Sequence, residues 1–205
     1  IIITSLRPPE DVVKAVHSYG GLVFHDVINL RHARKAISQG VDGIIAVCTG
    51  AGGHAGPMSP FALVKEIRKE FDGAVILSGA ITNGGDVLAA QAMGADLAYS
   101  GTRFIASEEA NAVPAYKEMI VDSAADDIIY SSLFTGVHGN YLKGSIANAG
   151  LDLDFAKDTE SDAKAWKDIW GAGQGVGSID AILPAREIVL DIEREYRQTL
   201  ATLAG

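Results

Sequence analysis

Through the first half of the chain, short runs of β-branched and apolar residues alternate with stretches whose apolar positions recur at helical spacing. Ile1–Thr4 reads as a strand. In the following "RPPEDVVKAVHSYG", Pro8 and Pro9 open a helix, Val12, Val13 and Val16 repeat along it, and Gly20 stops it. "GLVFHDV" predicts a second strand, Leu30–Gln39 a second helix ended by Gly40, and "VDGIIAV" a third strand that runs into the glycine-rich "CTGAGGHAG". Ser59 before Pro60 has the form of an N-cap and first-turn pair for a helix to about Phe71. "AVILSGA", "GDVLAAQAMG" and "ADLAYSG" then read strand, helix, strand. "SEEANAVPAYKEMIVDSA" reads as a closing helix, with "SEE" as its acidic first turn.

The strands are near-continuous apolar runs, as expected of a parallel sheet covered on both faces. Two α/β architectures fit: an open doubly wound sheet, or part of a (β/α)8 TIM barrel. Both place functional groups at the C-terminal ends of strands. Those ends here are "TSLRPP", "HDVIN", "CTGAGGHAG", "SGAITNGG" and "SGTRF". Beyond residue 126 the βα order stops. Aromatics and glycines follow, and then an amphipathic helix in "LPAREIVLDIEREYRQTLATLAG", with Ile188, Val189 and Ile192 on one face. The expected organisation is a barrel portion over residues 1–126 and, in the same domain, an appendage over 127–205 packed on it.

Composition adds constraints. The 205 residues are 48% hydrophobic and 21% charged, enough for one sizeable core. No apolar stretch approaches the ~20 residues of a membrane span, and Arg7 and Glu10 interrupt any secretory leader. Neither a membrane nor a nucleic-acid partner is expected, the latter because the net charge is −9. Cys48 is the only cysteine, so a reducing cytoplasm is the expected location. With so acidic a chain, a bound phosphate would be held mostly by backbone N–H groups. The opening "IIITS" starts as though in mid-strand without an initiator Met, so the chain is expected to belong to a longer one.

"SGA" (78–80) and "SGT" (100–102) each end a strand and precede a helix. Such loops can cradle an anion, although tight strand-to-helix turns explain them equally. Barrel phosphate sites are frequently built after strands seven and eight. On that count "IIITS" is the fourth strand, and three βα units are missing ahead of it. His54, between glycines at a strand end, is a turn residue, a metal ligand or a proton-transfer group. The metal reading is poor, because no HxH or HxxxH spacing accompanies it. Cys48 reads as a small buried residue, "GAGQGVG" (171–177) as a flexible loop, and Trp166 and Trp170 as packing anchors.

At this point a resemblance enters. "GAGGHAG", then "ILSGAITNGGDVLAAQAMGADLAYSGTRFIASEEA" and "YKEMI", resemble the FMN-dependent nitronate monooxygenases, formerly called 2-nitropropane dioxygenases. The resemblance implies a (β/α)8 barrel whose first three βα units are absent from this chain, and FMN as cofactor. It implies oxidation of alkyl nitronates with O2 to a carbonyl compound and nitrite, and no metal. By position, His54 matches the family's active-site histidine, and Gly52 and Gly53 match backbone close to the flavin. Ser78, Gly79 and Ala80 match the first phosphate loop, and Ser100, Gly101 and Thr102 the second. Asp26 and Val47 fall where relatives line the flavin ring. The chain departs from many relatives at Val47 (Gln there), Gly50 (Glu) and Ala80 (a second Gly). Related barrels include enoyl-ACP reductase II and an NADH:quinone reductase, so an FMN-dependent NAD(P)H reductase is the alternative. A flavin-free lyase or isomerase and a non-catalytic fragment are further readings.

Overall fold

The computed structural model describes residues 1–151 and 167–205. In chain order the elements are β1 (Ile2–Thr4), α1 (Glu10–His17), β2 (Val23–Val27), α2 (Leu30–Ser38), β3 (Gly43–Val47) and β4 (Gly53–His54). They continue with α3 (Pro60–Arg68), β5 (Ala74–Ser78), α4 (Gly84–Ala92), β6 (Leu97–Tyr99), α5 (Thr102–Ile105) and α6 (Pro114–Val121). Last come β7 (Ile128–Ser131), β8 (Gly139–Leu142), α7 (Lys143–Asn148) and α8 (Ala185–Ala204). The chain divides into two compact units. The first comprises Ile1–Thr49, Gly56–Ser78 and Val87–Tyr99, and the second Gly50–Ala55, Gly79–Asp86 and Ser100–Gly205.

The first unit is a five-stranded parallel sheet in the order β1-β2-β3-β5-β6. The fold is therefore α/β with a parallel sheet. Its order never reverses, whereas an open doubly wound sheet changes direction at a switch point. The central strand β3 is buried along its whole length, which is why "GIIAV" carries no polar residue. Leu63, Val64 and Ile67 of α3 join its core, each fully buried. Two aspartates fix the register at the strand starts. Asp42 Oδ2 accepts the N–H of Val23 at 2.8 Å, and Asp96 Oδ2 accepts that of Val75 at 2.8 Å. Asp42 also meets His17, and Asp96 meets Arg68, so neither carboxylate depends on a single partner. Asn29 caps α2 by accepting the His32 N–H, while Ser59 stands at the N-cap of α3 without a side-chain bond.

The second unit holds a three-stranded antiparallel sheet, β4-β8-β7. Its core gathers Ala106, Ile120, Ile128, Leu142, Ala172, Val176 and Ile179, with Tyr116 and Trp170 stacked against it at 4.9 Å between ring centroids. Trp170 is thus the packing anchor expected of it, while Trp166 lies outside the described residues. Two expectations need correction here. "SEE" does not open a helix: α6 begins at Pro114, because a residue ahead of proline is pushed out of the helical region. Glu109 nevertheless sits at a helix start, accepting the N–H of Ala185 at the head of α8. On α8, Ile188 is 1% exposed but Val189 is 54% exposed, since a neighbouring residue lies about 100° round the helix.

Gly84 marks the tightest approach in this unit. A Cβ there would fall 2.1 Å from the backbone N of Tyr196 and 2.2 Å from the carbonyl O of Ile192. The N–H of Gly84 in turn donates to Glu195 Oε2 at 3.0 Å. Gly84→Ala is therefore expected to force α8 away and cost about 1–3 kcal/mol or more. Gly101→Ala, where a Cβ would meet nothing within 4 Å, should cost far less. Urea denaturation of both variants, followed by circular dichroism, checks the difference.

Candidate functional site

The site is best built outward from the segment Gly50–Ala55 of the second unit. Gly50 and Gly53 have φ of +85° and +69°, backbone that residues bearing a Cβ adopt only at a cost. Gly52 is needed for a different reason. A Cβ there would lie 2.8 Å from the backbone N of Gly173, and a Cβ on Gly173 would lie 2.6 Å from the carbonyl O of Gly50. The two backbones touch, and the N–H of Gln174 donates to Gly50 O at 2.9 Å. The stretch "GAGQGVG" is thus not the flexible loop its composition suggested. It is wedged against the glycines of "GAGGHAG" and runs into a 3-10 turn at Gln174–Ser178.

His54 lies on β4, whose partner is β8: Gly53 pairs with Asn140 and His54 with Gly139. Around this pairing the β7–β8 hairpin grips the segment through its main chain. Asn140 Nδ2 donates to Ala51 O at 2.7 Å, Tyr130 OH donates to Ala55 O at 2.9 Å, and Ala55 N–H donates to His138 O at 3.1 Å. Asn140 is 2% exposed, and its Oδ1 has no partner among the described residues. The half-buried His54 ring has Nε2 3.1 Å from Thr135 Oγ1, and burial pushes its pKa down from the ordinary imidazole range. Burial thus favours the neutral ring over the imidazolium. None of Asn140, Tyr130, Thr135 and Gly173 was singled out by the sequence. The antiparallel partner of a two-residue strand leaves no periodic trace.

The two small loops also meet in this unit. Ser100 Oγ donates to Ile81 O at 2.8 Å, tying Gly79, Ala80 and Ile81 to Ser100, Gly101 and Thr102. Their helices differ as anion sites. The start of α4 is already filled from within the protein. Asp86 accepts the N–H groups of Thr82 and Asn83, and Glu195 takes that of Gly84. The short α5, by contrast, begins at Thr102 directly after Gly101, so its first N–H groups have no intrahelical acceptor. The Thr102 hydroxyl, on a residue 9% exposed, is committed to the Gly173 N–H at 2.9 Å. The Ala80 N–H points to Gly50 O at 3.3 Å, and Ala80 sits at φ +53°. A Cβ on Gly50 would lie 3.2 Å from the Ala80 methyl, so a side chain at position 50 is opposed by the one at 80. Gly101 lines a cleft of about 600 Å³ with Phe104, Ile105, Tyr116, Lys167 and Trp170.

Three of the sequence-derived residues belong to the first unit, at the C-terminal ends of adjacent strands: Asp26 on β2, Val47 on β3 and Ser78 on β5. Val47 pairs with Ser78, and its buried isopropyl group offers only apolar contact. Asp26 carries a buried Oδ1 without a partner among the described residues. Burial lifts its carboxyl above the usual range, and a hydrogen bond from Ser5 works against that. Beside it, His25 is 7% exposed with Nδ1 2.7 Å from Thr4 Oγ1. Cys48 is fully buried and its thiol is pushed up to about 12, which makes it inert, as a small buried residue should be. Among the described residues no cluster of three or more His, Cys, Asp or Glu is placed to hold a metal ion, and no helix is long and apolar enough to cross a membrane.

The chain is similar to known proteins. The nitronate monooxygenase of Paraburkholderia phytofirmans is 29% identical over 220 residues, which cover 96% of this chain and 60% of that protein. That of Neurospora crassa is 26% identical, covering 93% and 58%. The chain spans about three fifths of the length of these curated relatives. Among solved structures, FabK from Thermotoga maritima superposes with a TM-score of 0.82 at 27% identity, over 99% of this chain and 70% of its own. A family model for nitronate monooxygenase matches residues 1–195. The chain belongs to the nitronate monooxygenase family, whose members are FMN-dependent oxidoreductases.

Proposed function

We propose that the protein containing this chain is an FMN-dependent oxidoreductase that converts alkyl nitronates and O2 to a carbonyl compound and nitrite, with His54 as its proton-transfer group. The observation that carries this reading is the placement of a half-buried imidazole on the glycine-rich segment of the family-matched chain. The parallel units of the first sheet correspond, in this reading, to five consecutive units of a (β/α)8 barrel, because their strand order never reverses.

The donor set of the second unit suits the phosphate of FMN. Its donors would be backbone N–H groups, of Gly79 on one loop and of Gly101 and Thr102 on the other, because the Ala80 N–H and the Ser100 and Thr102 hydroxyls are already bonded within the protein. Position 101 opens onto free space, and the first N–H groups of α5 are available to an anion. Arg103, 8% exposed and donating to Ala181 O, adds a buried positive charge next in the chain. Gly52 and Gly53 supply backbone without side-chain bulk. FMN, when bound, supplies the electron transfer; the protein's part is to hold it, orient the substrate and manage protons and water. His54, kept neutral by burial, can exchange a proton at pH 7 with little change in its surroundings.

The likeness to FabK favours a second reading, the same FMN-binding fold drawing electrons from NAD(P)H to reduce a quinone or an enoyl thioester. Anaerobic addition of NADH separates the two, since bleaching of the flavin absorbance is expected only of the reductase.

His54→Asn is expected to retain the flavin absorbance and to lower nitronate turnover about 10²–10⁴-fold. Unchanged turnover with FMN still bound would remove His54 from the reaction. The pH profile is a separate check. A histidine whose pKa is lowered by burial keeps its neutral form to more acid pH, so the acid limb of kcat/KM should turn below the usual ~6.5. That limb should vanish in His54→Asn.

A further inference from the structure

We infer that Thr135 is a positioning residue that holds His54 as the Nε2–H tautomer, by presenting a hydroxyl oxygen whose own proton is already committed elsewhere. The inference takes His54 as the proton-transfer group from the reading above, and the tautomer is argued from the bonding of Thr135.

Thr135 Oγ1 has one proton to give, and four groups surround it. The carbonyl O of Val137 is 2.9 Å away, His54 Nε2 is 3.1 Å away, and both the Val137 N–H and the Tyr141 hydroxyl are 3.3 Å away. A carbonyl can only accept, and the Val137 carbonyl is the nearest of the four, so the threonine proton goes to it. The Val137 N–H can only donate, which takes up part of the oxygen's accepting capacity. What the oxygen then turns to the imidazole is a lone pair, and Nε2 must carry a proton to meet it.

The arrangement is local and stiff. Val137 stands two residues from Thr135, so the hydroxyl is oriented by its own turn rather than by a distant element. Tyr141, fully buried on β8, closes the far side, with Phe134 edge-on to its ring at 5.1 Å between centroids. Among the described residues, the titratable groups on the strands and turn packed beside β4 are Tyr130 on β7, Tyr141 on β8 and His138 just before it. Burial lowers the His54 pKa.

The sign of one shift tests the assignment. A hydroxyl that accepts from Nε2–H favours the protonated imidazolium as well as this tautomer, so deleting it should lower the His54 pKa. A hydroxyl that donated to a bare Nε2 would favour the neutral ring, and deleting it would raise the pKa. The measurement is ¹⁵N NMR of the full, FMN-loaded protein labelled at histidine, with the His54 signals identified by their absence in His54→Asn. The expected results are an Nε2–H signature in the unaltered protein and a pKa lower by about half a pH unit or more in Thr135→Val. Thr135→Ser should restore the original value. A rise in Thr135→Val, no change, or an Nδ1–H signature in the unaltered protein would each overturn the inference. Should Thr135→Val not fold, Thr135→Ala gives the same reading. The acid limb of kcat/KM should move with the NMR value. An NMR shift without a matching kinetic one would uphold the tautomer and overturn the catalytic role of His54.

Discussion

Two stretches of main chain lie closer together in the second unit than any pair of side chains would allow, and the candidate site depends on that closeness. A β-carbon on Gly52 would strike the backbone N of Gly173, and one on Gly173 would strike the carbonyl O of Gly50. Hydrogen bonds from Gln174 to Gly50 and from Gly173 to Thr102 then fasten the wedge. Because Thr102 follows directly on Gly101, the same wedge fixes both the histidine-bearing segment and the start of α5. Loosening it would therefore displace the His54 segment and the start of α5 together.

The electrostatics follow from the same frame. In an acidic chain, anion binding must draw on backbone dipoles. Here the candidate helix starts are treated differently. The protein's own Asp86 and Glu195 fill the start of α4, while that of α5 is left open after a glycine. Burial lowers the proton affinity of His54, so closing the site to water favours the neutral ring.

The alternation of strands and helices over residues 1–99 was legible because each strand of a covered parallel sheet is a short apolar run bounded by glycine, proline or aspartate. The positions of Gly20 and Gly40 at helix ends, with φ of +78° and +81°, were legible for a related reason: few other residues adopt that backbone. What escaped the sequence was pairing at long range. His54 pairs with Gly139, 85 positions further on, through a strand of two residues that is too short to show alternation. Likewise Glu109 serves a helix start 76 positions away rather than the one adjoining it. Glycines were located correctly but their reason was incomplete, for Gly52 makes room for the protein's own chain at Gly173, and Gly50 holds a positive φ.

The grip of the β7–β8 hairpin on residues 51–55 has a consequence for how such a loop can change over generations. Ala51 and Ala55 are held by their carbonyl and amide groups, not by their methyls. Both alanines are also buried, so neither position has room for much added bulk, and Asn140 and Gly139, remote in the chain, cannot drift without releasing the fastening. What positions 51–55 can become is thereby restrained from residues some eighty places away, through the main chain and, at Thr135, through the His54 ring itself.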